Sequence, residues 1–187
     1  LLAWKSEGDF IRRTVISTLV LLWSIRLSWH LYHDRVRTGI EDGRYAKFRR
    51  EWSQVAFFGI YMAQAALVVR LPLTFISAFT NQTSFPTLLD VLALLVWLIA
   101  ISGESIADKQ LARFRSIPAN KGHTCREGLW KYSRHPNYFF EWLIWCAYIP
   151  MAVGSTSFWF SILGPALLLF FLLKVSGIPP TEEQALA

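Results

Sequence analysis

The chain has 187 residues, 53% hydrophobic and 17% charged, with a formal net charge of +6. Cys125 and Cys146 form neither a disulfide framework nor a thiolate metal pattern and are expected as unpaired thiols. The positive residues concentrate in two loops, so the basic excess is no signal for nucleic acid, and no metal site is expected.

The apolar residues come in blocks rather than periodic stripes. About 20 apolar residues in a helix cross a hydrocarbon core about 30 Å thick. Five blocks approach that length: Thr14 to Tyr32, Val55 to Phe79, Leu88 to Ala107, Tyr138 to Val153 and Phe158 to Val175. The expected fold is all-α, a polytopic membrane helix bundle with about five spans in one integral membrane domain over residues 1–187. No cleavable signal peptide is visible. The opening Leu-Leu-Ala-Trp lacks a Met and reads like the end of a loop or span, so a protein cut at one or both ends is expected.

In the first span Trp23, Arg26, His30 and His33 recur at helical steps and share a face. Arg26 there either meets a polar interior or snorkels to the membrane edge. The following loop, His33 to Trp52, is basic and includes Arg44 and Tyr45. The second span carries Gln64, which needs a hydrogen-bond partner, and Arg70. The third span runs toward Glu104, Asp108, Leu111 and Arg115, on one face if the helix continues beyond the membrane. That face is either an ordinary amphipathic exit or a wall of a polar pocket. A second basic loop, Asp108 to Arg134, follows. Two spans separate the basic loops, which places both on one side. Thr80 to Pro86 between those spans is uncharged, so the basic loops and the C-terminus are expected in the cytoplasm. Asn81 opens a glycosylation sequon too close to the bilayer for a function to be assigned.

The densest polar cluster lies in Gly128-Leu-Trp-Lys-Tyr-Ser-Arg-His-Pro-Asn-Tyr-Phe-Phe-Glu141, directly before the fourth span. Pro136 suits the first helical turn, with His135 or Arg134 at the cap. Asn137, Glu141, Trp145 and Tyr148 continue one face. An unpaired carboxylate at Glu141 needs a donor or a polar ligand. After the fifth span, Pro179 and Pro180 end the helix, and Thr181 with Gln184 forms a capping box for another.

Arg134-His-Pro-Asn-Tyr138 followed by Glu141, the ending Gly177 to Leu186, and the loop Ile40-Glu-Asp-Gly-Arg-Tyr45 resemble the steroid 5α-reductase superfamily, its bacterial branch above all. The resemblance covers most of the chain from about Arg26 onward. It implies an oxidoreductase that uses NADPH to reduce the C=C bond of a 3-oxo-4-ene steroid or similar lipophilic enone. It also implies a lipophilic substrate and a bacterial inner membrane. By position, Asp108 and Arg115 match residues that hold the adenosine-phosphate half of the cofactor, and Asn137 one that binds the nicotinamide side. Glu104 stands where the animal enzymes have Asn. Arg134, His135, Tyr138, Tyr132, Arg44, Tyr45 and Glu182 complete the implied cofactor set. The span bearing the animal enzymes' substrate-gripping Glu has no counterpart, and Trp23 stands nearest their catalytic Tyr. Glu141, Tyr32 and His30 are therefore the candidate catalytic residues, with the proton donor left open. Two alternatives stand beside this one. The Arg-His-Pro-x-Tyr segment is also similar to isoprenylcysteine carboxyl methyltransferases, which use S-adenosylmethionine, and a non-enzymatic sterol-binding protein can keep a fold without its chemistry.

Overall fold

The computed structural model describes residues 8–37, 39, 50, 53–56, 58–59, 61–62, 73–175 and 177–186. Arg44, Tyr45, Gln64 and Arg70 lie outside the described residues, as does the middle of the second expected span, residues 63–72. The described chain is helical without strands: α1 (Phe10–Leu31) with a π-turn (Tyr32–Val36), α2 (Leu73–Phe79), α3 (Leu88–Arg115), α4 (Pro136–Cys146), α5 (Tyr148–Met151), α6 (Trp159–Lys174) and α7 (Ile178–Leu186). Short 3-10 turns at Pro118–Asn120 and Gly128–Lys131 interrupt the loop before α4. Among the described residues, three stretches are long and apolar enough to cross a membrane: Phe10–Asp34, Leu88–Arg115 and Trp159–Glu183. Leu22, Ile25, Leu95, Ile99, Phe160 and Leu163 are exposed on them, as lipid-facing side chains are. The protein is an all-α membrane helix bundle.

The helix starts follow from local chemistry. Asp9 caps α1 by accepting from the Arg12 N–H at 2.9 Å. Thr87 and Asp90 form a reciprocal capping box at α3. The helix of the third span runs on through Glu104 and Asp108 to Arg115: α3 is 28 residues long, about 42 Å at 1.5 Å per residue, more than a hydrocarbon core about 30 Å thick requires.

Two expectations are corrected. The fourth span is broken, with α4 ending at Cys146 and the single turn α5 following after Ala147. Pro150 explains the break. It has no N–H for the Cys146 carbonyl four residues back, and its ring crowds that carbonyl. The chain then tightens, with Ala152 donating to the Ile149 carbonyl and Val153 to the Pro150 carbonyl. At the other end of the chain, Thr181 is no cap. α7 starts earlier, at Ile178, so Pro179 and Pro180 sit in its first turn, where missing N–H groups cost nothing. The Thr181 hydroxyl donates back to the Gly177 carbonyl at 2.7 Å.

Contacts fix the helix directions. Arg12 near the start of α1 meets Asp90 near the start of α3, and Arg26 near the end of α1 meets Asp108 toward the end of α3. α1 and α3 therefore run parallel. α4 descends from Asp108 toward Asn81, whose amide donates to the Met151 and Val153 carbonyls at 2.8 and 2.9 Å. The ends of α1 and α3 thus share a side with the Ser116–His135 loop, as the charge pattern implies.

Between these ends lies a core of Ile16, Leu19, Phe75, Trp97, Ile144, Trp145, Tyr148 and Met151. Phe75 stacks on Trp145 with centroids 5.4 Å apart, and the Trp97 indole donates to the Tyr148 hydroxyl at 3.1 Å. α3 and α4 approach closely because position 103 is glycine: a Cβ there falls 2.4 Å from the Phe140 ring. Gly103→Ala is therefore expected to cost about 1–3 kcal/mol by overpacking. An unchanged melting temperature in detergent would show that Phe140 swings clear.

Opposite the basic loops, Arg12 is 1% exposed and Asp90 0%. The guanidinium donates to both Asp90 oxygens at 2.9 and 2.7 Å and to the carbonyls of Thr83 and Asn81 at 2.6 and 3.3 Å. The sequon asparagine is part of this structure. Asn81 is 2% exposed and uses its amide on carbonyls, so it is a packing residue and not a surface acceptor.

Candidate functional site

At the basic-loop end, α1, α3 and α4 bring together one guanidinium and three carboxyl groups. Trp23, Arg26 and His30 all point the same way from α1, as their spacing implies. The Trp23 indole donates to Glu141 Oε2 at 3.0 Å. Arg26 Nη2 hydrogen-bonds Asp108 Oδ2, and Arg26 Nη1 lies 2.5 Å from Glu104 Oε1. His30 Nδ1 is 3.7 Å from Asp108 Oδ2 and remains 35% exposed. Of the two readings of Arg26, the polar interior is the one realised, through carboxylates of α3.

α4 closes the cluster. Pro136 is in its first turn and His135 at its cap. Asn137 Nδ2 donates to Asp108 Oδ1 at 3.4 Å, a weak bond. One turn on, Glu141 Oε1 accepts from the Trp145 indole at 3.0 Å. The Asn137–Glu141–Trp145 face thus turns toward α1 and α3. Both Glu141 oxygens are held by indoles, and Trp23 and Trp145 meet edge to face at 5.6 Å.

Buried atoms in this cluster lack partners among the described residues. They are Glu104 Oε2 and Asn137 Oδ1, while Arg26 Nη1 makes only its 2.5 Å ion contact with Glu104 Oε1. A buried polar atom left without a partner costs about 1–3 kcal/mol. Two such atoms in one connected group call for an explanation, such as a bound water or a polar ligand.

The outward side of the same motif has another task. His135 and Tyr138 rings stack with centroids 5.3 Å apart, and the Tyr138 hydroxyl meets that of Thr181 at 3.3 Å. Glu182 lies 3.2 Å from Arg134 Nη1 and 3.6 Å from His135 Nε2. Arg134, His135, Tyr138 and Glu182 therefore fasten α7 across the start of α4.

The remaining expected site residues lie elsewhere. Arg115 is exposed, about 10 Å along α3 beyond Asp108, and takes no part in the cluster among the described residues. Tyr32 is half exposed and lines a shallow groove with Ser24, Ile25, Ser28 and Trp29. Tyr132 is 85% exposed, at the rim of an open groove of about 750 Å³ that includes Leu98, Ile106, Leu129 and Phe140. Among the described residues no group of His, Cys, Asp and Glu could hold a metal ion, and Cys125 and Cys146 are free thiols.

Several contributors were not legible from the sequence. Gln110 Oε1 accepts from the Leu129 N–H at 2.9 Å, and the Trp130 indole donates to the Ala107 carbonyl at 2.9 Å. These bonds mount the Gly128–Lys131 turn on α3 beside Asp108. Gly128 permits this approach: its φ is +56°, and a Cβ there falls 2.2 Å from Gln110 Nε2. The glycine and tryptophan of the motif were a visible signal, but their partner in α3 was not.

No curated protein and no solved structure matches this chain. A family model described as "Protein of unknown function (DUF1295)" matches residues 1–187, the entire chain. The chain belongs to the DUF1295 family.

Proposed function

We propose that this membrane protein is an NADPH-dependent reductase of a C=C bond conjugated to a ketone, in a 3-oxo-4-ene steroid or a similar lipophilic enone. The observation that carries the reading is the buried, incompletely partnered group around Asp108. Asn137 Oδ1 is an acceptor without a donor among the described residues, and Arg26 Nη1, ion-paired with Glu104 Oε1 at 2.5 Å, has a second N–H beyond that contact. A primary amide such as that of nicotinamide answers both, with its NH₂ and its carbonyl. The residues present therefore fit the cofactor's carboxamide. The loop leading from α3 to α4 carries Lys121, Arg126, Lys131 and Arg134, and the last turns of α3 carry Lys109, Arg113 and Arg115. Such cations suit the cofactor's phosphates. When bound, NADPH supplies the hydride; the protein's part is to orient the carboxamide and exclude water. The sequence resemblance to steroid 5α-reductases supports the same assignment. The orientation that serves it has the basic loops and C-terminus in the cytoplasm of a bacterial inner-membrane protein.

A second reading, an S-adenosylmethionine-dependent methyltransferase, draws on one observation. Glu104, Asp108 and Glu141 outnumber Arg26, and two indoles flank Glu141, surroundings that suit a cationic sulfonium. Thermal shifts of the detergent-purified protein separate the readings. NADPH is expected to raise the melting temperature, and S-adenosylmethionine to leave it unchanged. Asn137→Ala is expected to weaken the NADPH response about tenfold or more, the loss of one or two hydrogen bonds. Stabilisation by S-adenosylmethionine alone would overturn the reductase. No response to either would favour a sterol-binding protein without chemistry.

A further inference from the structure

The proposed reduction needs a proton as well as a hydride, and the cluster narrows which group gives it. Each carboxylate oxygen can be followed. Glu141 Oε1 and Oε2 are occupied by the indoles of Trp145 and Trp23. Asp108 Oδ1 accepts from Asn137, and Asp108 Oδ2 from Arg26. Glu104 Oε1 faces Arg26 Nη1 at 2.5 Å. Glu104 Oε2 is the remaining oxygen, buried and without a hydrogen-bond partner among the described residues, on a residue only 5% exposed. The charge count points the same way. Among the described residues, Glu104, Asp108 and Glu141 face a single guanidinium, that of Arg26, with His30 at the edge. With these groups alone, a proton on one carboxyl group brings the cluster closer to neutrality.

Resting on the reductase reading, we propose that Glu104 is a catalytic residue that carries this proton on Oε2 and gives it to the carbonyl oxygen of the substrate. The Glu104 O–H bond breaks and the new O–H bond forms on the substrate as a hydride reaches the β-carbon. The conjugated ketone becomes an enol, and the hydride's two electrons end in the new C–H bond. The enol then moves its proton from oxygen to the α-carbon, giving the saturated ketone. Glu104, left as carboxylate, regains a proton from water. His30 marks the route: it is 35% exposed and stands 3.7 Å from Asp108, which shares Arg26 with Glu104. The donor thus comes from the long α3, and none of the earlier candidates Glu141, Tyr32 and His30 is the final donor. Glu141 is held by two indoles, Tyr32 lines a separate groove, and His30 contacts Asp108 at the rim.

Infrared spectroscopy tests this without turnover. The ligand-free protein is expected to show the C=O stretch of a protonated carboxyl group. Glu104→Gln should remove that band and Glu141→Gln retain it. The saturated ketone product, added without cofactor, should shift the band to lower frequency by hydrogen bonding. Wild-type protein grown on carboxyl-¹³C glutamate provides the check that needs no substitution: the band must move with the label. In turnover, Glu104→Gln should slow NADPH oxidation about 100-fold while the thermal response to NADPH persists. A band that survives Glu104→Gln, ignores the glutamate label or is unmoved by the ketone overturns the proposal, as does a variant at wild-type rate. Failure of wild-type protein to respond to NADPH sinks the reductase reading instead; the ligand-free band and the ketone shift still decide whether Glu104 carries and donates a proton.

Discussion

Arg12→Met is expected to destabilise the protein by about 3–5 kcal/mol, the range for breaking a buried ion pair by removing one partner. The side chain is 1% exposed and its carboxylate partner 0%, so no water replaces the lost bonds. Asp90 loses both guanidinium contacts, and the Thr83 and Asn81 carbonyls lose their donor. Asp90→Asn alone is expected to cost less, because its partners at Thr87, the backbone N–H and the hydroxyl, can still find the amide oxygen. Combining Arg12→Met with Asp90→Asn should restore part of the loss, since the uncompensated charge is gone. Unfolding in detergent against added denaturant measures all three. A single Arg12 variant as stable as wild type, or a double variant equal to the sum of the singles, contradicts this account.

Arg26→Met is expected to be comparably damaging, about 3–5 kcal/mol, and to abolish the thermal response to NADPH as well. Arg26 is the cation that Glu104 and Asp108 share. Arg26→Lys separates charge from geometry. A lysine keeps the charge but presents no planar fork, so it cannot reach two carboxylates on successive turns of α3 in the same way. Most of the stability should return with lysine, and little of the cofactor response. Equal loss of both in Arg26→Met and Arg26→Lys would mean that geometry alone matters at this site. A full cofactor response in Arg26→Met would remove Arg26 from the binding machinery.

Local rules made much of this legible. Helical periodicity put Trp23, Arg26 and His30 on one face of α1, and Asn137, Glu141 and Trp145 on one face of α4. Those faces do meet, at Asp108 and Glu141. The fourth span was misjudged because hydropathy counts apolar residues and takes no account of a missing N–H. Pro150 splits the apolar run that follows Glu141. The Arg12–Asp90 pair was not foreseen because its residues are 78 positions apart. The expected first span began at Thr14, which left Arg12 looking like a flanking charge. The double role of the Arg134–Glu141 motif was hidden for a similar reason. Its outward residues hold α7, and sequence spacing alone does not distinguish a residue that binds a ligand from one that holds the next helix.

The two ion pairs of α1 sit near its opposite ends, separated along the helix by 14 residues of rise, about 21 Å. α1 and α3 are thereby locked in register. Sliding one past the other by a single residue, about 1.5 Å, breaks both pairs together. The pair of helices is a rigid spine, and each of the two arginine variants frees one end of it. A ligand entering the space beside Glu104 cannot gain room by shearing that spine. Movement is left to a part held by weaker ties: α7, fastened by the exposed Arg134–Glu182 contact.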